Sequence, residues 1–313
     1  MAKTVPSPAD ADIRLLRVFR AVVESGGVTA AETALNVGRS TISAQLAALE
    51  GRLGLRLCER GRRGFALTEG GRRVYEAAVR LFGSLEDFRA TIGAAEGRLT
   101  GELAFGYPDQ SMSSPDLRLS DAFRRFHDRA PGVRLNLRVT SLDEIERAVL
   151  GGRLHIGLVI HYRRVPGLDY RYLLSEEQGL FCGKGHPLFD KAQTRIALSD
   201  IAEAAYVARG YLDEARFRSV EIKFRTAAIA YHAEAAAHLI LSGGFISFLP
   251  LHYAERWVRA GDMRPLRPEK TTYKSEFHIA TRRGVAETPI VSAFLEEFLR
   301  VHGKEGNGDK IRK

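Results

Sequence analysis

The spacing of apolar residues changes near residues 97–101 and divides the 313-residue chain into two parts. Before this point, apolar residues recur every three or four positions, which is the period of an amphipathic helix. After it, short strand-like runs alternate with helical ones, a pattern typical of α/β domains with mainly parallel sheets. The sequence therefore predicts a helical first part and an α/β second part.

The first part begins with three helices. One starts at Asp12 and ends at a glycine pair that begins at Gly26, since glycine tolerates the left-handed cap of a helix. A short helix over 29–35, a tight turn over 36–38 and a helix over 39–53 follow. Two helices joined by a short glycine-containing turn predict a helix-turn-helix.

The third helix, in GRSTISAQLAALE, has an apolar half and a polar half. Ile42, Leu46 and Leu49 share one face, whereas its first turn has nothing apolar to bury. In a recognition helix the amino-terminal residues enter the major groove, so they carry hydrogen-bonding groups. The residues expected to contact bases or phosphates are Arg39, Ser40, Thr41, Ser43 and Gln45. The alternative is a solvated first turn that Ser40 helps to cap.

A basic hairpin follows this helix. Two strand-like runs, LRLCE and GFALTE, flank the arginine-rich residues 60–64. Residues 39–73 hold eight arginines and three glutamates, a net charge of +5 in a chain of net charge +9 and isoelectric point about 9.7. Such a cluster suits phosphate neutralisation. The hairpin residues predicted to contact DNA are Arg60, Arg62 and Arg63.

One long helix is predicted from residue 69 to about 95, with Thr68 as its cap. Its apolar residues form a single stripe, and a helix of this length can bridge domains and pair with a copy of itself. The stripe comprises Val74, Ala78, Leu81, Leu85, Phe88 and Ile92.

Residues 13–95 resemble the winged helix-turn-helix and linker helix of LysR-type transcriptional regulators. The match covers LLRVFRAVVESGGVTAAETALNVGRSTISAQLAALEGRLGLRLCERGRRGFALTEGG. Three residues depart from the family pattern. Glu32 replaces a second alanine and Gly38 replaces a serine cap, so both are expected to soften the helix-turn-helix packing. Cys58 replaces phenylalanine and still suits a buried strand.

The second part resembles the effector-binding domain of the same family. The matching segments are GELAFG, APGVRLNLRV, GGRLHIGLVI, GKGHPLF and GGFISFLP. The resemblance implies a fold like that of periplasmic binding proteins, with two α/β subdomains, two crossover strands and a ligand in the cleft. His155 stands where the family usually has aspartate, which puts the structural role of that aspartate in doubt.

The predicted fold class is a winged helix-turn-helix with a long linker helix, followed by a two-subdomain α/β domain. The predicted domain bounds are 12–68 for DNA binding, 69–96 for the linker and 99–303 for effector binding. Within the last domain, subdomain I comprises 99–160 and 267–303, and subdomain II comprises 161–266. Residues 1–11 are expected to form a loose arm and 304–313 a disordered tail.

Ligands of open α/β sheets sit beyond the carboxyl ends of strands, where several polar residues of this chain are predicted. The candidate effector-binding residues are Ser111, Ser113, Thr140, Ser141, His161, Arg209 and His232. Purely structural roles remain open for some of them, with Ser114 as a helix cap before Pro115 and His161 as a hinge. Arg209 would pair with a carboxylate, which favours an organic anion.

No motif for catalysis, a cofactor or a metal is present, so none of the three is expected. His186 fits the family's strand-end motif better than a general base. The chain has two cysteines far apart, which fits a reducing compartment rather than a disulfide framework, and a redox role for Cys182 is the minor alternative. Without a secretory signal or a long apolar stretch, a cytoplasmic protein is expected.

The resemblance implies an effector-responsive regulator that binds double-stranded DNA at a dyad-symmetric promoter site as a homodimer or homotetramer, without a membrane partner. RNA polymerase would be a further partner of an activator. Activation and repression remain open. The rival interpretation is a small-molecule binding protein or enzyme whose basic first domain only oligomerises. A constitutive regulator with a vestigial cleft is a weaker alternative.

Overall fold

The structure, a computed structural model, describes residues 9–61, 64–160, 164–210, 222–285 and 288–303. The chain forms two compact units that divide after Phe88, inside the predicted linker helix, and residues 151–153 group with the first unit. We refer to the unit before the division as the head and to the other as the effector unit.

The head has the helix-turn-helix and hairpin that the sequence predicts. Its elements are α1 (Asp10–Glu24), α2 (Val28–Leu35), α3 (Arg39–Leu53), β1 (Cys58–Gly61), β2 (Gly64–Leu67) and the start of α4 (Glu69–Ala95). Helix α1 begins before the predicted Asp12, because the Asp12 carboxylate accepts a hydrogen bond from the Ala9 amide at 2.8 Å. Residues 10 and 11 are therefore helical rather than part of a loose arm, whose residues 1–8 lie outside the described chain.

The head core is built from all three helices and from β1. Its buried members are Phe19, Val22, Ala31, Ile42, Leu46, Leu49, Leu57 and Cys58. An ion pair also holds α1 against the end of α3: Arg52 Nη2 lies 2.8 Å from Asp12 Oδ2, and Arg52 Nε contacts Oδ1. The hydrogen bond from Arg52 lowers the pKa of the Asp12 carboxyl to about 2.

Two side chains fix the chain on either side of the hairpin by hydrogen bonds to backbone amides. Glu50 Oε1 accepts from the amides of Leu57 at 2.7 Å and Cys58 at 3.2 Å, which ties α3 to β1. Thr68 Oγ1 accepts from the Gly71 amide at 2.9 Å, so the predicted threonine cap of α4 is confirmed. A Cβ atom on Gly71 would lie 1.9 Å from the Leu57 carbonyl oxygen, and only glycine permits this approach.

The effector unit alternates strands and helices. Up to residue 183 its elements are β3 (Gly101–Tyr107), α5 (Leu119–Arg129), β4 (Val133–Val139), α6 (Leu142–Leu150), β5 (Ile156–Ile160) and β6 (Leu168–Gly183). They continue with α7 (Leu198–Glu203), β7 (Ala205–Arg209), β8 (Arg225–Ala230), α8 (Ala233–Leu241), β9 (Ile246–Pro250) and α9 (Leu251–Ala260). The last are β10 (Met263–Pro265), α10 (Pro268–Thr271), β11 (Tyr273–Arg282) and α11 (Pro289–Val301).

The strands of this unit form one mixed sheet in the order β4-β3-β5-β11-β6-β9-β7-β8, with β10 beside β6. The outer pairs are parallel, as in β3 with β4 and β7 with β8. The central pairs are antiparallel, because β11 runs against both β5 and β6, and β9 runs against β6. The expectation of a mainly parallel sheet therefore holds only for the outer strands.

The sequence pattern predicts two separate strand-like runs, YRYLL and GLFCG, but β6 is one 16-residue strand that contains both. Its first half packs in one core through Leu168 and Leu173, and its second half packs in another through Leu180 and Cys182. Strand β6 therefore contributes residues to both of these cores.

The sequence pattern predicts a helix over about 115–129, but the helix begins at Leu119. Arg118 precedes it in the left-handed conformation, with φ of 42°, which interrupts the helical path from Pro115. Ser114 is consequently not the cap of this helix; its amide donates to Ser111 at the end of a 3-10 turn, Asp109–Ser113.

His155, the residue that replaces the family's aspartate, joins two neighbouring segments of the sheet. Its Nδ1 accepts from the Ala104 amide at 3.1 Å, and its own amide donates to the Ala104 carbonyl at 2.8 Å. An imidazole nitrogen thus does what a carboxylate oxygen can do at this position, namely accept a backbone hydrogen bond.

Candidate nucleic-acid interface and effector site

The first turn of α3 is exposed, while the rest of the same helix holds the head together. Arg39, Ser40 and Thr41 face solvent, whereas Ile42 is fully buried. Farther along, Ser43 and Gln45 are half-buried, and the Gln45 Oε1 atom lies inside the head without a hydrogen-bond partner among the described residues. Among the five predicted DNA contacts on α3, the first three are thus the most accessible.

Glu32 caps the recognition helix from the neighbouring helix α2. Its Oε1 accepts from the Arg39 amide at 2.7 Å, and Gly38, at the N-cap position, has no side chain that could do so. The expected softening by Glu32 and Gly38 is therefore wrong. The two departures from the family pattern complement each other, because one supplies the hydrogen bond that the other gives up.

For the tip of the hairpin the structure describes only the backbone pairing of β1 with β2. Arg60 pairs with Phe65 in the β1–β2 register, and nothing further is described of its side chain. The predicted contacts Arg62 and Arg63 lie outside the described residues.

In the effector unit, two predicted polar segments follow adjacent parallel strands. The turn Asp109–Ser113 follows β3, and Thr140 and Ser141 follow β4. The Thr140 amide donates to the Tyr107 carbonyl at 3.2 Å, which places both segments at the same edge of the sheet. The Ser141 hydroxyl donates to Asp143 at 2.7 Å.

The serines of the turn after β3 bond within the chain. Ser111 is buried and donates from Oγ to the Pro108 carbonyl at 2.7 Å. Ser113 Oγ lies 3.0 Å from the Gln110 carbonyl and 3.0 Å from His252 Nδ1. Gln110, in the same turn, is also buried, and its Oε1 has no hydrogen-bond partner among the described residues.

Arg209 and His232 lie at the ends of another parallel pair. Arg209 ends β7 and is buried, at 5% exposure, and His232 precedes α8 just after β8. The two strand ends are adjacent, because the Gly210 amide donates to the Ala230 carbonyl at 3.0 Å. The remaining candidate, His161, lies outside the described residues.

Asp109 joins the two groups of residues. Its Oδ2 accepts from the Glu234 amide in the first turn of α8 at 3.1 Å, and its Oδ1 lies 3.9 Å from His232 Nδ1. Burial raises the pKa of the nearby Tyr253 hydroxyl; Arg256 opposes this shift, Asp109 adds to it, and Arg209 also acts to lower it. The Asp109 carboxylate therefore lies at the first turn of α8, near His232.

Sequence reasoning missed a chain of hydrogen bonds beside this region. His252 Nε2 contacts Glu176 Oε1, and Gln178 Nε2 donates to Glu176 Oε2 at 2.7 Å and to Ser275 Oγ at 3.1 Å. Glu176, Gln178 and Ser275 are buried. His252 is the second residue of α9, which follows strand β9 directly, so the rule that selected His232 also applies to it. The sequence gives no sign that the polar residues of β6 are buried, because SEEQ resembles a break between two strands.

His186 and Cys182 are both buried inside the effector unit. His186 is buried, and its Nδ1 accepts from the Leu188 amide at 3.1 Å; burial lowers its pKa. Cys182 is also buried, and burial raises the pKa of its thiol to about 12, so it is protonated at neutral pH.

Among the described residues, no group of three or more His, Cys, Asp or Glu is placed to hold a metal ion, and none of the helices is long and apolar enough to cross a membrane.

Comparison with known proteins identifies both units. Residues 13–72 match the bacterial regulatory helix-turn-helix family of LysR, and residues 96–303 match the LysR substrate binding domain. The chain belongs to the LysR family of transcriptional regulators. It is thus a DNA-binding transcriptional regulator with a substrate-binding domain, and the predicted family and fold class are confirmed.

The chain is similar over nearly its full length to regulators from Pseudomonas. It is 42% identical to the HTH-type transcriptional activator BauR of Pseudomonas aeruginosa, over 92% of this chain and 94% of BauR. It is 28% identical to the SDS degradation transcriptional activation protein of a Pseudomonas strain, over 90% of this chain and 94% of that protein. These relatives are transcriptional regulators, not enzymes, which argues against the rival interpretation of an enzyme.

A solved structure also matches nearly the whole chain. Full-length CbnR complexed with its target DNA is 27% identical, with a TM-score of 0.63, and the match covers 92% of this chain and 99% of CbnR.

Proposed function

We propose that the first turn of α3 reads bases and that the hairpin contacts phosphates. The observation that carries this proposal is the exposure of Arg39, Ser40 and Thr41 on a helix whose Ile42 is fully buried. Arginine binds guanine O6 and N7 with two hydrogen bonds, and a threonine offers a hydroxyl and a methyl group. Ser43 and Gln45 continue the same contact surface. On this proposal residues 12–68 bind DNA and residues 69–96 link the two domains.

The phosphate contacts are tested by salt. Replacing both Arg62 and Arg63 with alanine removes about two phosphate contacts, so the slope of log K against log salt should decrease in magnitude by about 2. Fluorescence anisotropy with a duplex that the wild-type protein enriches from a randomised pool measures this slope. A double variant with an unchanged slope would remove the hairpin from the interface.

The regulator is proposed to act as a homodimer or homotetramer on a dyad-symmetric site. Helix α4 buries Ala78, Val79 and Phe82, yet Leu81 is 37% exposed and Phe88 is 63% exposed. Apolar residues left in water on a long helix suit pairing with a second copy, and paired heads match a site of twofold symmetry.

Light scattering of the full-length chain tests this surface. Phe88→Glu should lower the molar mass at a given concentration, because a charge would be buried in the paired helices. Leu198→Glu is the control, since Leu198 is also an exposed apolar residue, at 37% exposure, but lies on α7 instead of α4. An equal molar mass for wild type and Phe88→Glu would contradict the proposal.

The effector is proposed to be a small organic anion bound near the ends of β3, β4, β7 and β8. The candidate contacts are Ser111, Ser113, Thr140, Ser141, His161, Arg209 and His232. Support comes from Asp109, whose carboxylate accepts from the first turn of α8 near His232. A carboxylate of this chain therefore occupies an environment that a carboxylate ligand would also find favourable.

A thermal-shift series with short carboxylic acids tests the effector class. An acid that raises the melting temperature of the wild-type chain should raise it much less in Arg209→Gln, because the guanidinium no longer pairs with the ligand. Arg195→Gln, on an exposed turn, is the control. An equal shift in all three proteins would exclude Arg209 from the site.

By its similarity to BauR, an activator, the chain is further proposed to activate transcription in the cytoplasm together with RNA polymerase. A reporter gene behind the enriched duplex should be more active with the regulator than without it. Lower activity would indicate a repressor.

A further inference from the structure

The recognition helix is capped by a carboxylate that belongs to another helix. Glu32 Oε1, on α2, accepts from the Arg39 amide at 2.7 Å. Gly38 holds the N-cap position in the extended conformation usual there, with φ of −64° and ψ of 148°. The first amides of a helix have no partner within the helix, so Glu32 satisfies a group that glycine leaves open.

The position of this carboxylate matters for charge as well as for hydrogen bonding. Helix amino termini carry a partial positive charge and bind phosphates readily. At α3 an anion of the protein already occupies that place. A DNA phosphate approaching the same amide would have to displace Glu32 and would meet its negative charge.

We propose that Glu32 is a positioning residue that favours sequence readout over non-specific binding. It orders the turn that presents Arg39, and it keeps the amino terminus of α3 from serving as a general phosphate contact. Sequence is read at base edges, whereas phosphate contacts carry no sequence information. Removal of Glu32 should therefore weaken specific binding and strengthen non-specific binding. The inference rests on the proposal that the first turn of α3 meets DNA.

The experiment compares two duplexes. One is the duplex that the wild-type chain enriches from a randomised pool, and the other is a scrambled duplex of the same composition. With Glu32→Ala, affinity for the enriched duplex should fall about fivefold, as expected for a lost cap. Affinity for the scrambled duplex should rise about two- to threefold, with a salt slope steeper by about 1.

Two further variants separate the hydrogen bond from the charge. Glu32→Gln keeps an acceptor oxygen but no charge, so it should bind the enriched duplex within about twofold of wild type and the scrambled one more tightly. The double variant Glu32→Ala with Gly38→Ser returns a cap from the N-cap position, where an added Cβ meets nothing within 4 Å. It should recover binding to the enriched duplex while the scrambled duplex stays tightly bound. Gly38→Ser alone is the control.

The possible outcomes distinguish a failure of the Glu32 proposal from a failure of the proposed DNA contact or of DNA binding itself. Equal weakening on both duplexes in Glu32→Ala, or no change on either, overturns the positioning role. If Glu32→Ala unfolds, Glu32→Gln decides the question through the scrambled duplex alone. An Arg39→Ala variant that binds both duplexes like wild type would instead overturn the contact role of the first turn. Failure to enrich any duplex would contradict the DNA-binding function.

Discussion

The first turn of α3 and the turn after β3 are both rich in small polar residues, yet they use them in opposite ways. Arg39, Ser40 and Thr41 are exposed side chains. In the turn after β3, Ser111 and Ser113 bond to backbone and to His252. The first segment keeps its polar groups for a partner outside the chain, and the second uses them within it. Composition alone does not separate these cases; the location of the partner does.

The largest effect concerns the framework that presents the first turn. Gly71→Ala should destabilise the head by about 3 kcal/mol or more, because its Cβ would lie 1.9 Å from the Leu57 carbonyl oxygen. Hydrogen exchange of the full-length chain, followed by mass spectrometry, would detect faster exchange in α1–α3. Gly51→Ala is the control: nothing lies within 4 Å of an added Cβ there, so it should be neutral or stabilising. Equal protection in Gly71→Ala and wild type would contradict the close approach.

His252→Ala tests the segment whose polar groups are used internally. It leaves the buried Glu176 without its imidazole partner, so the effector unit should lose about 1–3 kcal/mol of unfolding free energy. Trp257, the only tryptophan of the chain, lies on α9 and reports this transition by fluorescence in urea. His127→Ala is the control, because His127 is exposed on α5. Identical urea midpoints for His252→Ala and wild type would mean that the contacts of His252 do not stabilise the effector unit.

Arg39→Ala tests the segment whose polar groups are kept for a partner. Binding to the enriched duplex should weaken by about 1–3 kcal/mol and become less sequence-selective, while stability stays within about 0.5 kcal/mol of wild type. Anisotropy titrations and urea unfolding measure the two quantities. An equal loss on scrambled DNA would make Arg39 a phosphate contact, and a large loss of stability would show that its partner lies within the chain.

The smallest effect is present near neutral pH and is lost in acid. Because Arg52 holds the pKa of Asp12 at about 2, below the value of about 3.9 in an unfolded chain, the ion pair stabilises the head above about pH 4. This contribution is lost as the pH falls toward 2. Asp12→Asn should thus be less stable than wild type at pH 6, with a difference that shrinks toward pH 2. Asp10→Asn, exposed on the same helix, is the control, and a difference that grows in acid would contradict the sign.

Local pattern was sufficient for much of the fold. Helix α3 has the predicted bounds. The apolar spacing also predicts a strand over 133–139 and helices over 142–150 and 251–260, and these are the bounds of β4, α6 and α9. These elements have a clear apolar period and a turn or cap residue at each end, so nearby residues decide them. The conformation of Arg118, which delays α5, has no such local marker.

The effector site could be predicted only in part. The strand-end rule places Thr140, Arg209 and His232 at sheet edges, because it depends on local order along the chain. Their partners are set by tertiary pairing: Ser113 meets His252 from 139 residues away. In the head, Glu32 differs from the family pattern, and only the structure shows that it serves Arg39, seven residues later.

The two cysteines provide a measurement of each unit in the same molecule. Cys58 is in the head core and Cys182 in an effector-unit core, and both are almost completely buried. A thiol reagent reaches either sulfur only when its surroundings open, so the labelling rate of each cysteine follows the opening of its own unit. With peptide mapping, one unmodified regulator reports separately how DNA tightens the head and how a carboxylic acid tightens the effector unit.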